Sequence, residues 1–271
     1  MSDEDRLREY VEVWWQAVDD FTTLLERVPE EQWDAPTDLP GWDVRAVAAH
    51  TAHLESLLAG GRHAEVEIGD PPHVRGDMGR FTEQGVVGRR DRGRDELINE
   101  IRESATTRHT ALLADPPTDG SAPAPGLFGA IGWTTETLLR NRPLDVWMHE
   151  QDVRRAVDHP ANLDSPAAAH VVDYLSEALG LVLAKRAEAA PGSTLVLEVD
   201  GFAPRAFVVG DDGRGSELAE APADPTVRLS MDPETFVLLS GGRRASAGDA
   251  VRIEGDADLG RRVVERMAVT P

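Results

Sequence analysis

The apolar positions of this chain fall into two regimes. Over residues 4–28, Leu7, Tyr10, Val11, Trp14, Val18, Phe21, Leu24 and Leu25 recur at steps of three and four, which predicts an amphipathic helix. PTDLPGW (36–42) is a turn, and Asp43 is placed to cap a second helix that reaches about Leu58 before Gly60-Gly61. Residues 62–92 show neither helical nor strand periodicity and read as a long irregular connection. Helical spacing returns from about Arg94 to Leu113. It returns again over 134–157, where Pro143 can bend or break the helix. Four such helices with one long connection predict an up-and-down bundle.

After HPANLDSP (159–166) the pattern changes. One more apolar helix is expected from Pro166 to about Ala189. TLVLEVDG (194–201) and RAFVVGDDG (205–213) then read as a strand hairpin, and TVRLSM (226–231) and AVRIEG (250–255) as further strands. DPETFVLLSGG (232–242) and DADLGRRVVERM (256–267) read as helices. The expectation is an α+β protein with a helical domain over 1–160 and a smaller α+β domain over 161–271.

Composition narrows the function. The 271 residues hold 28 Lys plus Arg against 49 Asp plus Glu, a formal charge of −21. A surface of that sign repels phosphate backbones, so nucleic acid is not an expected partner. The N-terminus is charged, and no uninterrupted apolar run approaches a membrane span, so a cytoplasmic protein with no membrane partner is expected. Lys185 is the single lysine among many arginines and alanines, which points to a GC-rich genome, actinobacterial or haloarchaeal. There is no cysteine. Thiol chemistry would therefore need a thiol from outside the chain.

The residues that carry chemistry lie on two helices. Asp145 and His149 sit one turn apart on the fourth, with Asp152 one turn further. His50 lies near the apolar face of the second, and His53 follows. A lone histidine on such a face is an ordinary core residue, but two with an i−4 carboxylate match the way bundles build metal sites. Nitrogen and oxygen donors suit zinc and other divalent first-row ions without choosing among them. Asp152 reads either as an outer partner of a histidine ring or as a solvated charge paired with Arg154 or Arg155. His53 reads as a pocket or core residue, and Glu150 as a surface one. No GxSxG elbow, HExxH helix, phosphate loop or calcium loop is present.

The stretches WDAPTDLPGWDVRAVAAHTAHLE (33–55), RPLDVWMHEQDVRRA (142–156) and ADPTVRLSMDPETFVLLSGGRRASAGDAVRIEGDADLG (223–260) resemble, in order, segments of the mycothiol-dependent maleylpyruvate isomerase family within the DinB-like superfamily. The resemblance implies an N-terminal DinB-like four-helix bundle and a C-terminal domain like sterol carrier proteins. It implies a divalent metal, zinc being expected, on His50, Asp145 and His149, with mycothiol as the thiol cofactor or co-substrate. The family pattern carries Glu at the first helix-four position, so Asp145, one methylene shorter, would bring the ion closer to that helix or bind it through water.

Two outcomes fit such a site: cis-trans isomerisation of a small unsaturated keto acid, or mycothiol S-transfer to an electrophile. A non-catalytic small-molecule binding protein and a metal-dependent hydrolase are the alternatives. Arg243 and Arg244 are the candidates for gripping a substrate carboxylate, against a plain surface role. Trp42, Arg80, Glu83 and Gln84 are the candidates for contacting the thiol cofactor. The second substrate pocket is expected between the domains, and superfamily precedent allows a monomer or a homodimer.

Overall fold

A computed structural model describes residues 2–270. The chain divides into two compact units, Met1–Ala161 and Asn162–Pro271.

The first unit is built on four long helices: α1 (Asp3–Arg27), α2 (Val44–Leu58), α4 (Arg94–Ala114) and α6 (Thr135–Ala156). Two shorter ones, α3 (Gly76–Val87) and α5 (Gly126–Ala130), lie in the connections. Each long helix starts where its sequence supplies a cap. Ser2 and Asp5 form a capping box on α1, Asp43 accepts the Ala46 N–H at 2.8 Å on α2, and Glu96 reaches back to the Gly93 N–H at 2.8 Å on α4. Thr134 accepts the Thr137 N–H on α6 at 3.2 Å. These bonds satisfy N–H groups that the first turn leaves orphaned. The helices form a ring in which α1 packs on α6 and α4, while α2 packs on α4, α3 and, more lightly, α6. Leu7, Trp14, Phe21 and Leu25 of α1 are buried in its core, as are Val44, Val47, Leu97, Ile101, Val146 and Trp147 of the other long helices.

α6 is not broken at Pro143. It runs continuously from Thr135 to Ala156 with the proline buried inside it. The ring removes one helical hydrogen bond, and burial of both flanking turns outweighs that loss. The irregular stretch expected over 62–92 also needs correction, because it contains α3.

The second unit is a mixed five-stranded sheet, in the order β3-β2-β1-β4-β5. Its strands are β1 (Thr194–Val199), β2 (Arg205–Val209), β3 (Gly215–Leu218), β4 (Val227–Met231) and β5 (Arg252–Gly255). The expected hairpin is the antiparallel β1–β2 pair, while β1 and β4 run parallel, Leu195 opposite Val227. Thr194 and Thr226 lock that register, each hydroxyl accepting the other's N–H at 2.9–3.0 Å. Helices α7 (Pro166–Ser176), α8 (Leu179–Leu181), α9 (Pro233–Ser240) and α10 (Ala257–Glu265) complete the unit. The single helix expected from Pro166 to Ala189 is instead α7, α8 and a π-turn, Val182–Arg186. By length and composition Pro166–Arg186 resembles a membrane span, yet 61% of its most apolar stretch is buried inside the structure.

Candidate metal centre

His50 of α2 and the Asp145 and His149 pair of α6 converge. Nε2 of His50 and Nε2 of His149 each lie 3.6 Å from Oδ1 of Asp145, and the three donor atoms are all within 4.8 Å of one another. A separation of 3.6 Å is too long for a hydrogen bond. It is close to the roughly 3.4 Å that separates two ligands of a tetrahedral ion bound at 2.0–2.2 Å. Both Asp145–imidazole spacings therefore suit a small divalent cation, and the third donor pair lies within 4.8 Å.

Outer partners fix two of the three donors. Nδ1 of His149 is 3.2 Å from Oδ2 of Asp152, and Oδ1 of Asp152 accepts from Arg155 at 2.6 Å. Arg155 in turn donates to Asp38 of the 36–42 turn at 2.7 Å. An ionised carboxylate only accepts, so in this network Nδ1 carries the proton and the Nε2 lone pair faces Asp145. Asp152 thus serves as an outer partner of the His149 ring and pairs with Arg155, and, being fully buried, it is not the solvated charge that its sequence position also allowed. On the other side, Oδ2 of Asp145 accepts from Nη1 of Arg142 at 2.9 Å. Nη2 of Arg142 donates to Glu55 at 2.7 Å, and Trp14 Nε1 donates to the same Glu55 oxygen at 3.1 Å. Arg108 lies over the Trp14 ring, 4.6 Å from its centroid.

This setting decides the charges. Burial would raise the Asp145 carboxyl, but the Arg142 guanidinium and the two imidazoles hold it well below the usual carboxylate range. Burial lowers His50 despite the opposing pull of Asp145, so its ring favours the neutral form. Nδ1 of His50 is buried and, among the described residues, has no hydrogen-bond partner. The centre is thus an ionised carboxylate with an imidazole lone pair turned toward it, a donor arrangement that could hold a cation.

Trp42 forms a wall beside the imidazoles, its ring centroid 5.0 Å from His50 and 6.0 Å from His149. Trp42 Nε1 donates to Oε2 of Glu83 at 2.9 Å, and His73 Nε2 lies 3.2 Å from the same oxygen. Gly41 has φ +82°, and a Cβ there would fall 2.3 Å from Nδ1 of His73. Only glycine lets the turn pass beneath that ring.

The remaining sequence candidates are placed elsewhere. The Gln84 amide is engaged within the first unit. Its oxygen meets Nε2 of His63 at 3.1 Å and its nitrogen donates to the Val66 carbonyl at 3.1 Å. Arg80 is exposed and held by Asp70 and the Gly69 carbonyl, both at 3.2 Å. Arg243 and Arg244 lie in the second unit. Nη1 of Arg243 donates to the Gly241 carbonyl at 2.5 Å and to Thr270 at 3.2 Å, and Arg244 is exposed. His53 stands outside the cluster, fully buried, with Nε2 3.1 Å from Nδ1 of His63. Glu150 is buried, not superficial, and accepts from Arg154 at 2.7 Å. Arg142 and Glu55 were missed. The available signal was Glu55, a carboxylate on the same helical stripe as Val44, Val47 and Thr51.

A helical unit carrying a two-histidine, one-carboxylate centre, followed by a mixed-sheet unit, defines the class of protein. The chain belongs to the mycothiol maleylpyruvate isomerase family: residues 14–154 match the model of its N-terminal domain and residues 168–262 that of its C-terminal domain. Two solved structures share the fold. One, described as the mycothiol-dependent maleylpyruvate isomerase, is 18% identical, with a TM-score of 0.56 and coverage of 94% of this chain and 95% of that one. The other, a histidine-to-alanine mutant of such an isomerase, is 17% identical with a TM-score of 0.57 over the same shares. No curated protein matches the chain significantly.

Proposed function

We propose that this protein is a metal-dependent isomerase that uses mycothiol to convert a small unsaturated keto acid of the maleylpyruvate type. The observation that carries the metal reading is the shared Oδ1 of Asp145, 3.6 Å from both imidazole nitrogens and backed by Arg142. Membership of the isomerase family supports the thiol and the substrate class.

His50, Asp145 and His149 would hold the ion, with zinc the expected occupant. Bound there, a divalent cation supplies the charge that keeps a coordinating thiol as thiolate at neutral pH. The thiol must be external because the chain has no cysteine. Asp152 keeps the His149 proton on Nδ1, so Nε2 stays free to donate its lone pair. Trp42 and Glu83 are assigned to the cofactor's side of the centre. The substrate carboxylate calls for a guanidinium, and Arg243 and Arg244 are the candidates. Addition of the thiolate to the activated double bond makes that bond single. Rotation about it and expulsion of the thiolate then give the other isomer and return the thiol unchanged.

The test supplies zinc-loaded protein with mycothiol and maleylpyruvate and follows the isomer ratio beside any mycothiol conjugate. Isomer formation that needs all three components and disappears in His149→Ala is the expected result. An accumulating conjugate would assign S-transfer in place of isomerisation. Turnover without any thiol would assign a hydrolase, and zinc-loaded protein inert toward both would leave a binding protein.

A further inference from the structure

We propose that Arg142 and Glu55 are positioning residues of the centre: Glu55 holds Arg142, and Arg142 holds Asp145 so that a single oxygen, Oδ1, is offered to the ion. The inference rests on the metal reading above and goes beyond it.

The geometry carries it. Arg142 is 1% exposed and Glu55 fully buried, on α6 and α2 respectively. The two ends of one guanidinium fork reach two carboxylates, Asp145 at 2.9 Å and Glu55 at 2.7 Å. With Oδ2 engaged, Asp145 cannot chelate an ion through both oxygens. The short Asp side chain, rigid once Arg142 grips it, then has a defined reach.

A guanidinium on a metal ligand has a cost, because it competes with the ion for the carboxylate's charge. Glu55 offsets that competition by drawing the guanidinium toward itself. The Glu55 oxygen is further fixed by Trp14 at 3.1 Å, so the chain Trp14–Glu55–Arg142–Asp145 runs from the bundle core to the centre. An ordinary ion pair of the core would affect only the stability of the fold. A positioning pair also sets affinity and coordination in the folded protein.

The test measures Zn2+ affinity by competition titration, and the visible spectrum of the Co2+-loaded protein, for wild type, Glu55→Gln, Arg142→Lys, Arg142→Met and the Glu55→Gln/Arg142→Met double variant. Melting curves confirm folding of each. Glu55→Gln is expected to weaken Zn2+ binding about 10-fold or more. In the Arg142→Met background the same change is expected to matter less than about twofold, because its effect passes through Arg142. Arg142→Lys keeps a charge but loses the fork. Its Co2+ bands should weaken as Asp145 turns to chelate, and this readout stands even if Arg142→Met fails to fold. Additive effects of Glu55 and Arg142, or lowered melting temperatures with unchanged affinity and spectrum, would overturn the proposal. A wild type that binds neither Zn2+ nor Co2+ is a different failure, which removes the metal reading and this inference with it.

Discussion

Nδ1 of His149 lies 3.2 Å from Oδ2 of Asp152, a fully buried carboxylate whose other oxygen is taken by Arg155. The pair fixes both the ring's orientation and its tautomer. Asp152→Asn is expected to reduce Zn2+ affinity about 10- to 100-fold while the fold persists, since Asn can present an N–H to Nδ1 and turn the ring's donor inward. Competition titration against a chromophoric chelator reads the change, and unaltered affinity would show that His149 needs no outer partner.

The three donors themselves give the sharpest contrast. After dialysis, plasma mass spectrometry should find zinc near one equivalent in the wild type and about a tenth of that or less in His50→Ala and His149→Ala, since a centre with two donors left binds far more weakly. Full metal content in either variant would place the ion elsewhere. Among the described residues, none is an outer partner for the buried Nδ1 of His50.

Burial and the neighbouring Arg89, His50 and His63 push His53 down to about 3. The unfolded ring takes up a proton near its ordinary 6.5 and the folded ring does not. The unfolded state therefore binds more protons between these values, and stability falls as pH is lowered through that window. For metal-free protein, urea unfolding at about pH 7 and about pH 5 should differ by about 2 kcal/mol from this group. The difference should shrink in His53→Leu. An equal difference in the variant would assign the pH dependence to other groups.

His53 also explains a glycine. A Cβ on Gly85 would lie 2.0 Å from Nδ1 of His53. Alanine in a helix ordinarily gains about 1 kcal/mol over glycine. Here the buried ring must move, and overpacking of about 1–3 kcal/mol outweighs that gain. Gly85→Ala should therefore melt at a lower temperature than wild type, and a higher one would refute the close contact.

What the sequence revealed and concealed follows from these contacts. The long helices of the first unit were readable because Leu7, Val11, Trp14, Val18 and Phe21 form a continuous stripe and because Asp43 is a strong cap. His50, Asp145 and His149 were readable as a group because helical spacing and family motifs coincide. α3 was not, because GDMGRFTEQGVV has three glycines and buries only Glu83, Gly85 and Val86. β3 was passed over because GSEL carries no apolar alternation, its central residues being exposed at the sheet's edge. Arg142 and Glu55 escaped because a buried charge makes sense only once its partner on another helix is in place.

The light packing of α2 against α6 has a consequence for how the protein responds to its surroundings. The candidate donors straddle that seam and join chain positions about a hundred residues apart, so an ion held there acts as a reversible staple on a long loop. Stapling follows mass action: about 2.7 kcal/mol of added stability at a free-ion concentration 100 times the dissociation constant, and none in its absence. The stability of the folded bundle would then report the free metal level of the solution around it.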